Sequence, residues 1–237
     1  MSDSLIKARG ISKHYVVGGS RLDVLSGVDL DITAGEIIAI IGESGAGKST
    51  LLHILGMLDR PSSGTFSLNG DDITGKSDAE LAYFRNSLTG FVFQFHHLLP
   101  EFSALENVMM PSLIGGKSKH ESVDRAEYLL GAVGLTDRSH HRPGELSGGE
   151  LQRVAVARAL MNEPSIVFAD EPSGNLDHRN SVMLHELLWK LAGDHNYTFI
   201  IVTHDIALAQ NADKVLQLRD GAIQELDKKT FGELFHV

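Results

Sequence analysis

The 237-residue chain is 42% apolar and 22% charged, a composition that excludes a disordered or fibrous protein and gives length enough for one large domain or a core with a subdomain. A formal net charge of -10 argues against a broad nucleic-acid footprint, and the absence of cysteine excludes disulfides and thiolate metal sites and fits a reducing compartment. The N-terminal "MSDSLIKARGISKHY" lacks the apolar stretch of a secretory signal, and no apolar run approaches the roughly 20 residues that cross a bilayer, so any work at a membrane is expected to go through a partner.

Along the chain, residues 5–35 alternate short apolar stretches with the turn signals "VVGGS" and "TAGE", which predicts strands in a small antiparallel layer. "EIIAII", Glu36 to Ile41, is a β-branched run between glycines and predicts a buried strand; after the glycine loop that follows, "KSTLLHILGML" has helical spacing. A short strand, "TFSLNG", leads into a different regime from about Ser77 to Glu163. There "DAELAYFRNSL", "SALENVMM", "ESVDRAEYLLGAVGL" and "GGELQRVAVARALM" read as helices, so a helical insertion is expected. Strand signals return in "SIVFAD" and "TFIIVTH", separated by the helix "SVMLHELLWKLAG", and "KVLQLRDGAIQEL" reads as a hairpin turning at Asp220-Gly221. Strands alternating with helices around the insertion predict an α/β fold with a mostly parallel sheet. The expected division is a single domain over 1–237, with 1–90 and 164–237 as α/β core plus antiparallel β layer and 91–163 as helical subdomain.

The loop "GESGAGKST", Gly42 to Thr50, satisfies G-x-x-x-x-G-K-[ST]. In that pattern the backbone of Gly42, Glu43, Ser44, Gly45, Ala46 and Gly47 wraps phosphates at a helix N-terminus that Ser49 and Thr50 open. Lys48 is placed to neutralise the outer phosphates and the Ser49 hydroxyl to ligand magnesium. "SIVFADEP" ends an apolar strand in two carboxylates at the edge where open α/β sheets bind ligands. Asp170 suits magnesium, and Glu171 suits a base that takes the proton of an attacking water. "TFIIVTHD" carries His204 at a parallel strand end, in position for a γ-phosphate. In "ELSGGELQR", Ser147, Gly148 and Gly149 begin a helix whose first amides form a second arrangement able to hold an anion, beside the plainer account of an N-cap with flexible glycines, and spacing alone does not say which anion. The pairs His96-His97 and His140-His141 are poor metal ligands, because adjacent side chains rarely converge on one ion.

Taken together and in this order, "GESGAGKST", "LSGGE", "SIVFADEP", "SGNLD" and "VTHD" resemble the nucleotide-binding subunit of ABC transporters over nearly the whole chain. The resemblance implies a P-loop NTPase core, ATP and Mg2+ as cofactors, and a second copy of the chain paired head to tail. ATP would lie between the phosphate loop of one copy and the "LSGGE" of the other, so Ser147, Gly148 and Gly149 would act across the dimer. It also implies that Gln94 senses magnesium and the γ-phosphate, that Asp177 belongs to an inter-subunit loop, and that Tyr15 stacks on adenine.

Three further stretches, "FVFQFHHLLPEFSALENVMMP", "HRPGELSGGE" and "DEPSGNLD", are similar to the ATPases of LolCDE-type lipoprotein-releasing systems. Ser173 stands where threonine is commoner, and Gly144 where serine is usual. MacB-type efflux and FtsE-type ATPases are the alternative. The resemblance implies a peripheral place on the cytoplasmic face of the bacterial inner membrane beside integral permease subunits (LolC/LolE-like). Phe91 and Phe93 are expected in the core, and Phe95, Leu98, Leu99, Pro100 and Phe102 are expected to line a groove that receives a permease helix. A DNA-acting SMC ATPase would need a long coiled coil before "LSGGE", which the interval lacks. A non-hydrolysing module would lose the base that Glu171 supplies.

Overall fold

A computed structural model describes residues 4–235. In chain order the elements are β1 (Ser4–Val17), β2 (Ser20–Thr33), β3 (Ile37–Ile41), α1 (Lys48–Leu55), β4 (Ser63–Leu68), β5 (Asp71–Asp72), α2 (Asp78–Leu88), β6 (Thr89–Phe93), α3 (Ala104–Ile114), α4 (Lys119–Ala132), α5 (Gly148–Ala159), β7 (Ile166–Asp170), α6 (His178–His195), β8 (Thr198–Val202), α7 (Ile206–Gln210), β9 (Lys214–Arg219), β10 (Ala222–Leu226) and α8 (Lys228–Phe235). They group into two compact units, residues 4–81 with 198–235, and residues 82–197.

In the first unit β1 pairs antiparallel with β2 and β4. Ile6 faces Ile32, Ala8 faces Leu30 and Ile11 faces Val28 across the β1–β2 ladder, all buried. These apolar cross-strand pairs fix the register, because a one-residue slip would turn each of them outward. β3 and β8 run parallel and are buried along their whole length, as a strand covered on both faces must be. β9 pairs parallel with β3 and returns as β10 through Asp220 (φ 51°) and Gly221 (φ 76°), the left-handed pair that a two-residue hairpin needs. The strand read through to His204 ends earlier, at Val202. Asp205 caps α7 directly afterwards by accepting from the Ala207 and Leu208 amides, which turns the chain out of the sheet.

In the second unit β6 and β7 pair in parallel, from Thr89 opposite Ile166 to Phe93 opposite Asp170. The helices α3, α4 and α5 pack on one another. α6 opens on the Asp177 cap, closes on Asn196 in the left-handed region (φ 55°), and buries Ser181, Leu184, Leu188 and Leu191, one helical stripe. The expectation that Phe91 and Phe93 form the core is corrected. Both are half-buried and stacked on each other at 5.7 Å, whereas Gly90 and Val92 are buried. The cause is α5: a Cβ on Gly90 would lie 2.3 Å from the Ala159 carbonyl oxygen, so the helix covers the Gly90/Val92 face and leaves the rings on the other.

Candidate functional site

In the first unit the chain leaves β3 into the phosphate loop under tight backbone constraint. A Cβ on Gly42 (φ 155°) would sit 2.3 Å from the Leu218 carbonyl oxygen, and one on Gly47 (φ 98°) would sit 2.8 Å from Val24 Cγ1. Only glycine fits either position. Gly47 is also the N-cap of α1 and makes no side-chain capping bond, and the first turn of a helix directs its amides toward the loop that precedes it. Lys48, 9% exposed, folds back over the loop and donates to the carbonyls of Gly42 and Glu43, both at 2.9 Å. Its ammonium is thereby held against the loop carbonyls. Glu43, Ser44 and Gly45 are exposed, Ala46, Ser49 and Thr50 half-buried. Gly42–Ala46 form one wall of a cleft of about 530 Å³ whose other walls are Leu22–Val24 of β2 and Gln217–Gly221 of the β9–β10 hairpin.

The other two predicted residues of this unit differ in how they relate to that loop. Val202 pairs with Ile40, and the Thr203 amide donates to the Ile40 carbonyl at 3.1 Å, so exposed His204 leaves the sheet at the same edge as the loop. Tyr15 does not line the cleft. Its hydroxyl donates to Asp59 Oδ2 at 2.9 Å, and Lys13 Nζ lies 5.0 Å over its ring while also binding Asp59 at 2.7 Å. Burial pushes the Asp59 carboxyl up, but hydrogen bonds from Lys13, the Arg60 amide and Tyr15 outweigh it and hold it below its usual value. Tyr15, 38% exposed, is thus anchored at its hydroxyl end with Lys13 over its ring.

In the second unit the pairing of Phe93 with Asp170 makes Gln94 and Glu171 the next residues off two adjacent strand ends. Glu171 has φ 46°, a left-handed conformation that costs a non-glycine residue of the order of 1 kcal/mol or more. The turn is closed by the Gly174 amide, which donates to the Glu171 carbonyl at 3.0 Å. Gln94 Nε2 donates to Asn175 Oδ1 and Asn175 Nδ2 donates to the Gln94 carbonyl, each at 3.1 Å. Ser173 keeps a hydroxyl partner, His185 Nε2 at 3.0 Å. Beyond Gln94, Arg158 of α5 donates to the carbonyls of His96 and His97, both at 2.7 Å, which fixes the turn where His97 takes φ 48°. Burial lowers the His96 ring, and the adjacent Arg158 charge lowers it further.

At the start of α5, Ser147 caps the helix in a reciprocal box with Glu150. The Glu150 amide donates to Ser147 Oγ at 3.4 Å, and Glu150 Oε2 accepts from the Ser147 amide at 2.8 Å and its hydroxyl at 2.7 Å. Those bonds, with Arg138 at 3.1 Å, hold the Glu150 carboxyl down at about 2. Helix geometry leaves the amides of Gly148 and Gly149 without an intrahelical acceptor, so a cap and an anion site are compatible here. A Cβ on Gly149 would lie 2.6 Å from Asn180 Oδ1, and Asn180 Nδ2 in turn donates to Asp177 Oδ2 at 2.7 Å. The Asn180 amide is the first cause of the lowered Asp177 carboxyl, its side chain the second.

Chemically, the chain offers a hydroxyl on Ser49, a carboxylate on Asp170 and an amide carbonyl on Gln94, hard oxygen donors of the kind magnesium takes. Gly174, Asn175, Asn180 and Arg158 were not singled out from sequence. Only "SGNLD", read as a motif without assigning its asparagine, pointed near them.

The ABC transporter family profile matches residues 25–174. The chain is 54% identical over 219 residues to the lipoprotein-releasing system ATP-binding protein LolD of Porphyromonas gingivalis, spanning 92% of this chain and 98% of that one. To the protein of the same name from Geobacter metallireducens it is 52% identical over 220 residues, 93% and 98% of the two chains. Among solved structures, an ATP-binding cassette in a dimeric post-hydrolysis state bound to ADP and Pi superimposes with a TM-score of 0.87 at 38% identity, covering 94% of this chain and 98% of that one.

Proposed function

The chain belongs to the ABC transporter family as one of its ATP-hydrolysing subunits, and from that premise we propose that two copies of it drive the membrane subunits of a system that releases lipoproteins from the bacterial inner membrane. The observation that carries this reading is the 54% identity to a LolD protein across 98% of its length. Among the described residues no helix is long and apolar enough to cross a membrane. The proposed place is therefore peripheral, on the cytoplasmic face, beside LolC/LolE-like permease subunits that dock near Phe95–Phe102.

The chemistry proposed is in-line transfer of the γ-phosphoryl group of ATP to water. Gly42–Thr50 bind the phosphates through backbone amides, and Lys48 places its charge on the outer ones. Tyr15 stacks on adenine. Magnesium, when bound with the nucleotide, neutralises phosphate oxygens; Ser49, Asp170 and Gln94 would hold it. Glu171 takes the proton of the attacking water, a task for a carboxylate that the metal does not consume. His204 donates a hydrogen bond to the γ-phosphate. Ser147, Gly148 and Gly149 meet the γ-phosphate of the ATP held by the second copy, and Asp177 faces that copy.

Glu171→Gln is the direct test. The variant is expected to bind ATP, to accumulate as a dimer in light scattering, and to lose turnover by about 10²-fold or more. Hydrolysis at the parent rate would remove Glu171 from the mechanism. Purification in mild detergent tests the cargo reading: lipoprotein-release permeases should accompany the protein, and an efflux permease in their place would move it to the MacB type.

A further inference from the structure

Gln94 and Asn175 lie 81 residues apart in sequence and meet through two hydrogen bonds of 3.1 Å. Their polarity is determined. The Gln94 main-chain carbonyl can only accept, so Asn175 must present its Nδ2 to it. The other end of the Asn175 amide, Oδ1, is then an acceptor facing the Gln94 side chain, and only the Nε2 end of that side chain can donate to it. One fixed carbonyl therefore sets both amides. Gly174 allows the approach, since a Cβ there would lie 2.9 Å from Gln94 Nε2 and 3.3 Å from Gln94 Cδ.

We propose that Asn175 is a positioning residue that fixes which end of the Gln94 amide is presented to the nucleotide-bound metal. With Nε2 committed to Asn175, Oε1 is the end turned away from it, and oxygen is the only atom of that amide with affinity for a hard divalent cation. The strap from Glu171 to Asn175 thus orients a metal ligand on the neighbouring strand end while its own Glu171 carbonyl is tied by the Gly174 amide. This rests on the reading of Gln94 as a metal ligand.

The test uses the full chain with Mn2+ and a non-hydrolysable ATP analogue, following free Mn2+ by electron paramagnetic resonance, with Mg2+-dependent ATPase as a second readout. Asn175→Ala is expected to weaken Mn2+ binding by about 10-fold, the scale on which outer-shell partners tune metal affinity. ATP KM at saturating metal should change by less than about twofold, since no phosphate contact is touched. Gly174→Ala should reproduce the loss by displacing Nε2. The double variant Gln94→Ala/Asn175→Ala should bind no worse than Gln94→Ala alone, because the two act as one unit. Asn175 is exposed, and a thermal melt within a few degrees of the parent confirms that each variant folds. Parent-like Mn2+ binding by Asn175→Ala, or additive losses in the double variant, would overturn the proposal alone. If Gln94→Ala itself binds Mn2+ like the parent, the metal role of Gln94 fails and the proposal falls with it.

Discussion

Lys48 and Arg158 are both long cations bonded to backbone carbonyls, yet only one is visible as functional in the sequence. Lys48 belongs to a pattern whose spacing is set within nine residues, Gly42 to Thr50, so its place could be read directly. Arg158 holds carbonyls 61 and 62 residues away, and no local pattern encodes such a reach. The two should fail differently when changed. Lys48→Ala removes a charge-assisted contact to phosphate worth about 1.5–3 kcal/mol, roughly 10- to 150-fold in nucleotide Kd; a fluorescent-nucleotide titration checks it. Arg158→Lys keeps the charge but replaces a planar fork that serves two carbonyls with a single point donor. Loss of one of those bonds should cost about 1–3 kcal/mol in denaturant unfolding, and nucleotide binding to the phosphate loop should be spared.

Four helix starts among the described residues share one design, and it makes their stability sensitive to acid. Ser77-Glu80, Ser103-Glu106, Ser118-Glu121 and Ser147-Glu150 are all Ser-x-x-Glu boxes in which the glutamate accepts from the serine amide and hydroxyl. Each of these glutamates is held below its usual carboxyl value by those bonds, and Glu150 reaches about 2. A lowered folded-state value means that the stabilisation is complete above the unfolded value of 4.5 and is lost as pH falls toward about 2. Glu150→Gln should therefore be less stable than the parent at neutral pH, with the gap closing between pH 4.5 and about 2 in a series of denaturant melts. A gap that is constant across this range would show that the Glu150 charge has no part in the cap. The signal of such a cap spans only four residues, and of the four only the Ser147 start was read from the sequence as a cap. The face of β6 was not legible. Phe91 and Phe93 carry the larger apolar surface, but burial went to Gly90 and Val92, because a glycine lets the α5 backbone come close and a phenylalanine does not.

For the whole molecule, the question is how a chain whose described helices do not cross a membrane transmits the energy of ATP to one that does. The segment after Gln94 was expected to face a partner, and three of its apolar side chains are outward, Phe95 at 64% exposed, Leu99 at 41% and Phe102 at 37%, while Leu98 is half-buried. Asn107 explains why they stay there. It is buried, accepts from the Leu99 amide at 2.7 Å, and donates to the carbonyls of Leu99, Phe102 and Ser103 at 3.0–3.1 Å. With its backbone satisfied from beneath, the loop keeps a set shape without burying its own apolar side chains, which suits a docking surface that must not rearrange. Leu98→Asp or Phe102→Asp places a charge where an apolar helix face is proposed to seat, at a cost of several kcal/mol if the contact is dry. Each variant should bind ATP like the parent, fail to co-purify with the permease, and lose export. Asn107→Ala should lose the same co-purification with both apolar residues intact, since it releases the loop that presents them. Permease capture and export at parent levels in both charged variants would place the docking surface elsewhere on the chain.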